Sequence, residues 1–175
     1  MKYNDECFLR GRGTIVEGLW IITQWLFVSS WLPGSFHRCL LLRLFGARIG
    51  NDVIIKPRVR IKFPWRLVIG CYSWIGEAVW IDNLDQVTIG SNTCLSQGVY
   101  VCTGSHDWGK IEFNLIVKPV VIEDQVWIAA KAILSPGTVV RQGAILTMGS
   151  MASKELDPWT IYAGIPAKPI REREV

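Results

Sequence analysis

The sequence predicts an all-β solenoid, a triangular coil of short parallel strands over residues 47–157. Three observations carry that expectation. From Ile49 an aliphatic residue recurs at every sixth position: Ile49, Ile55, Ile61; then Ile69, Ile75, Ile81; then Ile89, Leu95, Val101. A second series follows at Ile122, Ile128, Leu134, Val140, Leu146 and Ala152. Four residues after these positions stands a small or β-branched residue, such as Val53, Ser73, Thr93, Ser105, Ala132 or Ser150. Gly or Ala often follows the aliphatic directly, as in Ile69-Gly70, Ile89-Gly90 and Ile128-Ala129. A period of six fits neither a 3.6-residue helix nor an alternating sheet sustained over a hundred residues. It fits short strands joined by tight turns, with the aliphatic inward and each coil completing its neighbours' hydrogen bonds. Three hexapeptides close one coil of roughly 18 residues. Residues 49–106 then make about three coils and residues 120–157 about two more. Ordinary strands with glycine turns would not keep fifteen positions in frame.

The elements follow in chain order. Residues 1–46 form an N-terminal helical and apolar segment. Its run LWIITQWLFVSSWL, residues 19–32, is broken by Thr23, Gln24, Ser29 and Ser30. It falls short of the roughly 18 unbroken apolar residues of a membrane span, and its flanks lack a signal-peptide cleavage pattern. A helix over 15–31 packed on the body or on a partner subunit is expected, with peripheral membrane contact as the alternative. Pro33-Gly34-Ser35 marks a turn. Phe36, Leu40, Leu41 and Leu44 then predict a second helix over 36–45, stopped by Gly46. Extra residues at 67–68 and 87–88 are read as small corner bulges. The run HDWGKIEFNLIVKP breaks the coil, so a loop over 107–119 should protrude from a corner. Residues 158–175 form a tail in which Gly164, Pro166 and Pro169 favour a folded-back turn.

Composition limits the function classes. The 175 residues suit one domain, and 50% apolar with 19% charged residues excludes a disordered chain. The net charge of +4 is weak support for nucleic-acid binding. Five Cys, at 7, 39, 71, 94 and 102, form no CxxC pair, which reads as reduced thiols of a cytoplasmic protein. The only histidines are His37 and His106, so no three-His metal site can form within one chain. There is no Walker loop, no dinucleotide GxGxxG and no HExxH.

His106 ends the regular coil where the loop leaves it. A neutral imidazole on rigid backbone beside a loop is well placed to take a hydroxyl proton. Asp107, Asp82, Asp85 and Glu123 are the carboxylates that could support it. Cys102 lies four residues upstream, but a nucleophilic thiol needs an activating neighbour that the sequence does not identify. Lys168, Arg171 and Arg173 give the tail a cationic end suited to phosphate, although a solubilising tail would also be basic.

Three segments, in this order, carry a resemblance: CTGSHD at 102–107, VWIAAKAILSPGTVV at 126–140 and WTIYAGIPAKPIR at 159–171. Together with the repeat, over roughly residues 36–173, they resemble the hexapeptide-repeat acetyltransferases of the maltose, galactoside and xenobiotic group. The subset most similar is that of colanic acid and exopolysaccharide synthesis. The resemblance implies a left-handed coil, a homotrimer with sites between subunits, and acetyl-CoA as donor with no metal. It implies that His106 deprotonates an acceptor hydroxyl, that Trp127, Ala129 and Ala130 line the pantetheine channel, and that Lys168 and Arg171 lie near the nucleotide phosphates. Ala129 stands where sugar-acetylating relatives usually carry Gly. The expected function is O-acetylation of a sugar or lipid-linked saccharide in surface polysaccharide assembly, in the cytoplasm or at the inner face of the membrane. Acetylation of a hydroxylated antibiotic or other small molecule, and a non-catalytic scaffold, are the alternatives. The carbonic-anhydrase branch of this fold needs three His and is disfavoured.

Overall fold

The computed structural model describes residues 8–174. Cys7 and the start of the N-terminal segment lie outside the described residues. The hexapeptide pattern folds into three parallel sheets visited in rotation. The first holds Arg48–Ile49, Leu67–Ile69, Val87–Ile89, Val120–Ile122 and Val139–Val140. The second stacks Ile54–Ile55, Trp74–Ile75, Cys94–Leu95, Trp127–Ile128, Ile145–Leu146 and Thr160–Gly164. The third holds Arg60–Ile61, Trp80–Asp82, Tyr100–Cys102, Ile133–Leu134 and Met151–Ala152. Registers keep like with like: Ile55 faces Ile75, Ile75 faces Leu95, and Leu95 faces Ile128. Ile75, Leu95, Ile128 and Leu134 are fully buried. The smaller residues Val79, Thr93, Ala132 and Ala144 fill the narrow space beside them.

The corners explain which residues can sit between the strands. One column of corner residues runs Asp52, Tyr72, Asn92, Gln125, Gly143 and Trp159, all with positive φ. A left-handed conformation costs a non-glycine residue about 1–2 kcal/mol. Each corner after the first regains a hydrogen bond to the coil before it, for example Asn92 N–H to the Cys71 carbonyl and Gln125 N–H to the Ser91 carbonyl, both at 2.9 Å. Beside this column the coils approach so closely that only glycine fits in places. A Cβ on Gly70 would stand 2.5 Å from the Ser91 nitrogen.

The N-terminal segment caps the open end of the coil. Helix α1 spans Thr14–Thr23 and passes into a wider π turn, Gln24–Val28; helix α2 spans Phe36–Leu44. The first helical stretch therefore ends at Val28 rather than at residue 31. The intervening turn is clamped by Arg38, whose buried guanidinium donates to the carbonyls of Val28, Ser30, Leu32 and Gly34. Trp20 Nε1 donates to the Ile61 carbonyl at 2.8 Å, and Ser29 Oγ to the Val59 carbonyl at 2.8 Å. These bonds satisfy first-coil groups that no preceding coil can reach. Trp20, Val28 and Leu42 close the apolar interior.

Three local expectations are corrected. Leu67 and Val87 are buried strand residues, and the extra length lies just before them. It forms the corner between the third and first sheets, where Pro64–Arg66 make a 3-10 turn. Buried Asn83 ties that corner, accepting from Phe63 N–H at 2.9 Å and donating to the Phe63 carbonyl at 2.7 Å. Ser105 is exposed, because the chain has already left the coil there. The tail also rejoins the solenoid: Ile161 and Tyr162 pair in parallel with Ile145 and Leu146, and Ala167–Glu172 folds back on them antiparallel.

Candidate active site

The corner that bulges in the first two coils gives rise to a hairpin in the third. Gly104–His106 pairs antiparallel with Leu115–Val117, and His106 faces Leu115 in that register. The hairpin projects where the loop was expected and is more ordered than a loop. Its turn returns Phe113 over the imidazole, with ring centroids 4.3 Å apart and planes 7° from parallel. Phe113 has φ 50°, an uncommon conformation for a bulky side chain. His106 Nδ1 lies 3.0 Å from the Phe113 carbonyl oxygen. A carbonyl only accepts, so Nδ1 carries the hydrogen. In the neutral ring the lone pair is then on Nε2, which can take a proton.

His106 lines a cleft of about 420 Å³ together with Phe8, Arg10, Lys62, Asp82 and Tyr100. Lys62 Nζ stands 3.1 Å from Asp82 Oδ1, and the Tyr100 hydroxyl donates to Asp82 Oδ2 at 3.2 Å. Among the described residues, the buried Asp82 Oδ1 atom receives no well-directed hydrogen bond beyond that ion pair. Burial, reinforced by neighbouring Cys102 and Asp82, pushes the Tyr100 phenol above its usual range, so it stays a donor. The cleft thus gathers an imidazole, a fixed cation, a carboxylate and a phenol, a set of donors and acceptors that suits a polyhydroxylated ligand.

The other sequence candidates are distributed differently. Asp107 is ion-paired with Lys110 at 3.0 Å within the hairpin turn. Asp85 lies in the adjoining depression with Phe8, Leu84 and Gln86. Glu123 belongs to a separate depression, where it bonds Arg141 at 2.8 Å; that bond holds its carboxyl below the usual range. Trp127 stands outward on the second sheet, half exposed, and its Nε1 donates to Ser96 Oγ at 2.9 Å. Ala129 and Ala130 are buried at the following corner. Gly149 bonds the Ala130 carbonyl and Gly164 bonds Ser150 Oγ, which carries this corner column to the tail hairpin. Lys168 lines a depression of about 210 Å³ beside Ser153–Leu156, and Arg171 is exposed on the same strand. Within one chain, His106 and Lys168 line different depressions. Among the described residues, no group of three His, Cys, Asp or Glu could hold a metal ion.

WcaF of Escherichia coli K12, named as a colanic acid biosynthesis acetyltransferase, is 38% identical to the chain over 166 residues, 94% of this chain and 91% of WcaF. The chain belongs to the hexapeptide-repeat acetyltransferases of this type. The acetyltransferase is also 24% identical to the galactoside O-acetyltransferase of the same organism, over 75% of its own length and 66% of the relative's. Among solved structures, a Vibrio cholerae hexapeptide-repeat acetyltransferase complexed with acetyl-CoA has a TM-score of 0.84 at 22% identity, covering 97% of this chain and 98% of that one. A galactoside acetyltransferase in complex with coenzyme A has a TM-score of 0.82 at 20% identity, with 91% and 82% covered. These likenesses show the fold, the left-handed parallel β-helix. No protein-family model matches the chain.

Sequence reasoning missed Lys62, Tyr100 and Phe113 in this acetyltransferase. For the first two a signal was present. The early coils repeat every twenty residues, so Lys62, Asp82 and Cys102 share one column, as do Arg60, Trp80 and Tyr100. Phe113 had none, since its position depends on the hairpin's pairing. Phe113→Ala keeps the carbonyl and removes the ring. It is expected to lower turnover about three- to tenfold, the worth of one aromatic stack, with little change in the KM for the donor. Unchanged turnover would show that the main chain alone holds the imidazole.

Proposed function

We propose that the chain is an acetyl-CoA-dependent O-acetyltransferase that modifies a sugar hydroxyl in surface polysaccharide biosynthesis, with His106 as the general base. The observation that carries this is the bond from His106 Nδ1 to the Phe113 carbonyl, which leaves Nε2 as the proton acceptor in a cleft with a fixed carboxylate and phenol. The relative named for colanic acid biosynthesis supports the polysaccharide role, and the neighbour complexed with acetyl-CoA supports the donor.

The chemistry follows from these groups. Bound acetyl-CoA supplies an activated acetyl group as a thioester. His106 Nε2 removes the proton from the acceptor hydroxyl as that oxygen attacks the carbonyl carbon, and the imidazolium returns a proton to the departing thiolate. The products are an O-acetyl ester and free CoA. Asp82, held by Lys62 and Tyr100, orients the acceptor by hydrogen bonding to a second hydroxyl. The exposed Trp127 offers an apolar wall to the pantetheine chain, and Lys168 and Arg171 offer cations to the phosphates. His106 and Lys168 line different depressions of one chain, which supports a homotrimer whose sites form between subunits. CoA thioester chemistry belongs to the cytoplasm, and a lipid-linked acceptor would bring the enzyme to the inner face of the membrane.

The test is a screen of nucleotide sugars and lipid-linked saccharides with acetyl-CoA, following thiol release and product mass. An acceptor-dependent mass increase of one acetyl group is expected. Thiol release that no acceptor stimulates would refute the proposal. Replacing Lys168 and Arg171 together by Ala should weaken CoA binding more at low salt than at high salt, because salt screens exposed charges. Unchanged affinity at every salt concentration would remove them from the donor site.

A further inference from the structure

A solenoid needs a cap at its end, and a cap that faces water carries a polar outer side. The cap of this chain does not. Its inner side buries Trp20, Val28 and Leu42, and its outer side is apolar and, among the described residues, exposed. Ile15, Leu19, Ile22 and Leu26 follow the spacing of one helix face and are all exposed, and Phe36, Leu40 and Leu44 repeat this on α2. Trp25 and Trp31 are 75% and 68% exposed. No charged residue occurs from Gly18 to Ser35.

Charge gathers around this patch instead. Residues 8–66 carry ten Lys and Arg against two acidic residues, Glu17 and Asp52, whereas residues 67–175 carry eight against eleven. Of those ten cations only Arg38 is buried. Arg12, Arg43, Arg48 and Arg58 are exposed, and the Arg58 guanidinium lies 5.8 Å from the Trp31 ring. A second copy docked through the same face would set cations against cations. An anionic lipid surface satisfies both features, taking the apolar side chains at the acyl boundary and the arginines among its headgroups.

We propose that the helical cap is a docking surface for an anionic lipid bilayer, with α1 and α2 lying in the membrane plane. No described helix is long and apolar enough to cross a membrane, which agrees with in-plane binding. The stretch that leads into α1 contributes Phe8 and Arg10 to the His106 cleft. Docking therefore sets that cleft near the headgroup layer, where a lipid-linked acceptor would present its sugar. That last consequence rests on the acetyl-transfer reading; the docking does not.

The experiment is co-sedimentation of the full chain with phosphatidylcholine vesicles, with and without about 30% phosphatidylglycerol, at low and high salt. Binding should be about tenfold or more tighter to the anionic vesicles at low salt, and the preference should fade at high salt. Arg12→Gln with Arg48→Gln should weaken anionic binding by about 25-fold, at about fivefold for each charge. Trp25→Ser with Trp31→Ser should weaken it by about tenfold. Both variants should keep the parent melting temperature and acetyl transfer to a soluble acceptor. Absence of anionic-vesicle binding at any salt would overturn the proposal. So would tryptophan variants that change the oligomer mass in sedimentation velocity yet bind vesicles normally, because the face would then be a subunit contact. A chain that binds vesicles but transfers no acetyl group to any acceptor refutes the enzymatic reading and leaves the docking intact.

Discussion

His106→Ala is expected to lower turnover by about 10²–10⁴-fold, the usual worth of a positioned general base, while CoA binding and the melting temperature stay near the parent values. The prediction follows from the hairpin. The imidazole is held by main-chain and ring contacts from Phe113 and faces a cleft, so its loss leaves the coil's core untouched. The measurement is steady-state thiol release with a saccharide acceptor, beside calorimetric titration of CoA. His106→Asn makes a sharper version, since an amide can still donate to the Phe113 carbonyl yet cannot accept the proton, and it should be as slow as the alanine variant. Near-native turnover in either folded variant would refute the base assignment.

Leu95→Ala should destabilise the fold by about 2–5 kcal/mol, because a buried leucine leaves both a lost transfer term and a cavity. Leu95 is fully buried and sits between Ile75 and Ile128 in the second sheet's inward column. The neighbouring coils are joined to it by main-chain bonds, such as Gly76 N–H to the Leu95 carbonyl at 2.7 Å, so they cannot collapse readily into the gap. For a chain of this size the loss corresponds to a fall in melting temperature of about 5–20 °C. Leu95→Met keeps most of the volume and should cost less than about 1.5 kcal/mol. A melting temperature unchanged in Leu95→Ala would contradict the stacked core.

The chain's own pattern determined the solenoid. One inward aliphatic every six residues has a single economical solution, so Ile75, Leu95, Ile128 and Leu134 could be assigned to the core from spacing alone. The exit of the chain near His106 was legible for the same reason, as an interruption of a strict period. The segments that are not periodic were less legible. The helix over 15–31 ended early because Arg38, seven residues beyond it, captures the carbonyls of the connecting turn. The tail carries no six-residue repeat, yet Ile161 and Tyr162 extend the second sheet, since the open edge at Ile145–Leu146 offers unpaired main-chain groups to any strand nearby.

What tertiary structure alone decided is the company His106 keeps. Among Asp107, Asp82, Asp85 and Glu123, only Asp82 shares its cleft; Asp107 is paired with Lys110 and Glu123 with Arg141. Asp107 adjoins His106 in sequence but turns to Lys110 beyond the end of the strand, while Asp82 reaches the cleft from the coil before. The protonated nitrogen of the imidazole was likewise set by Phe113, which meets His106 only because the hairpin pairs His106 with Leu115. A six-residue period specifies which side of each strand faces the core. The angle at each corner, the point where a hairpin turns back and the coil onto which an outward side chain stacks are non-local, and they are fixed only when the coils pack.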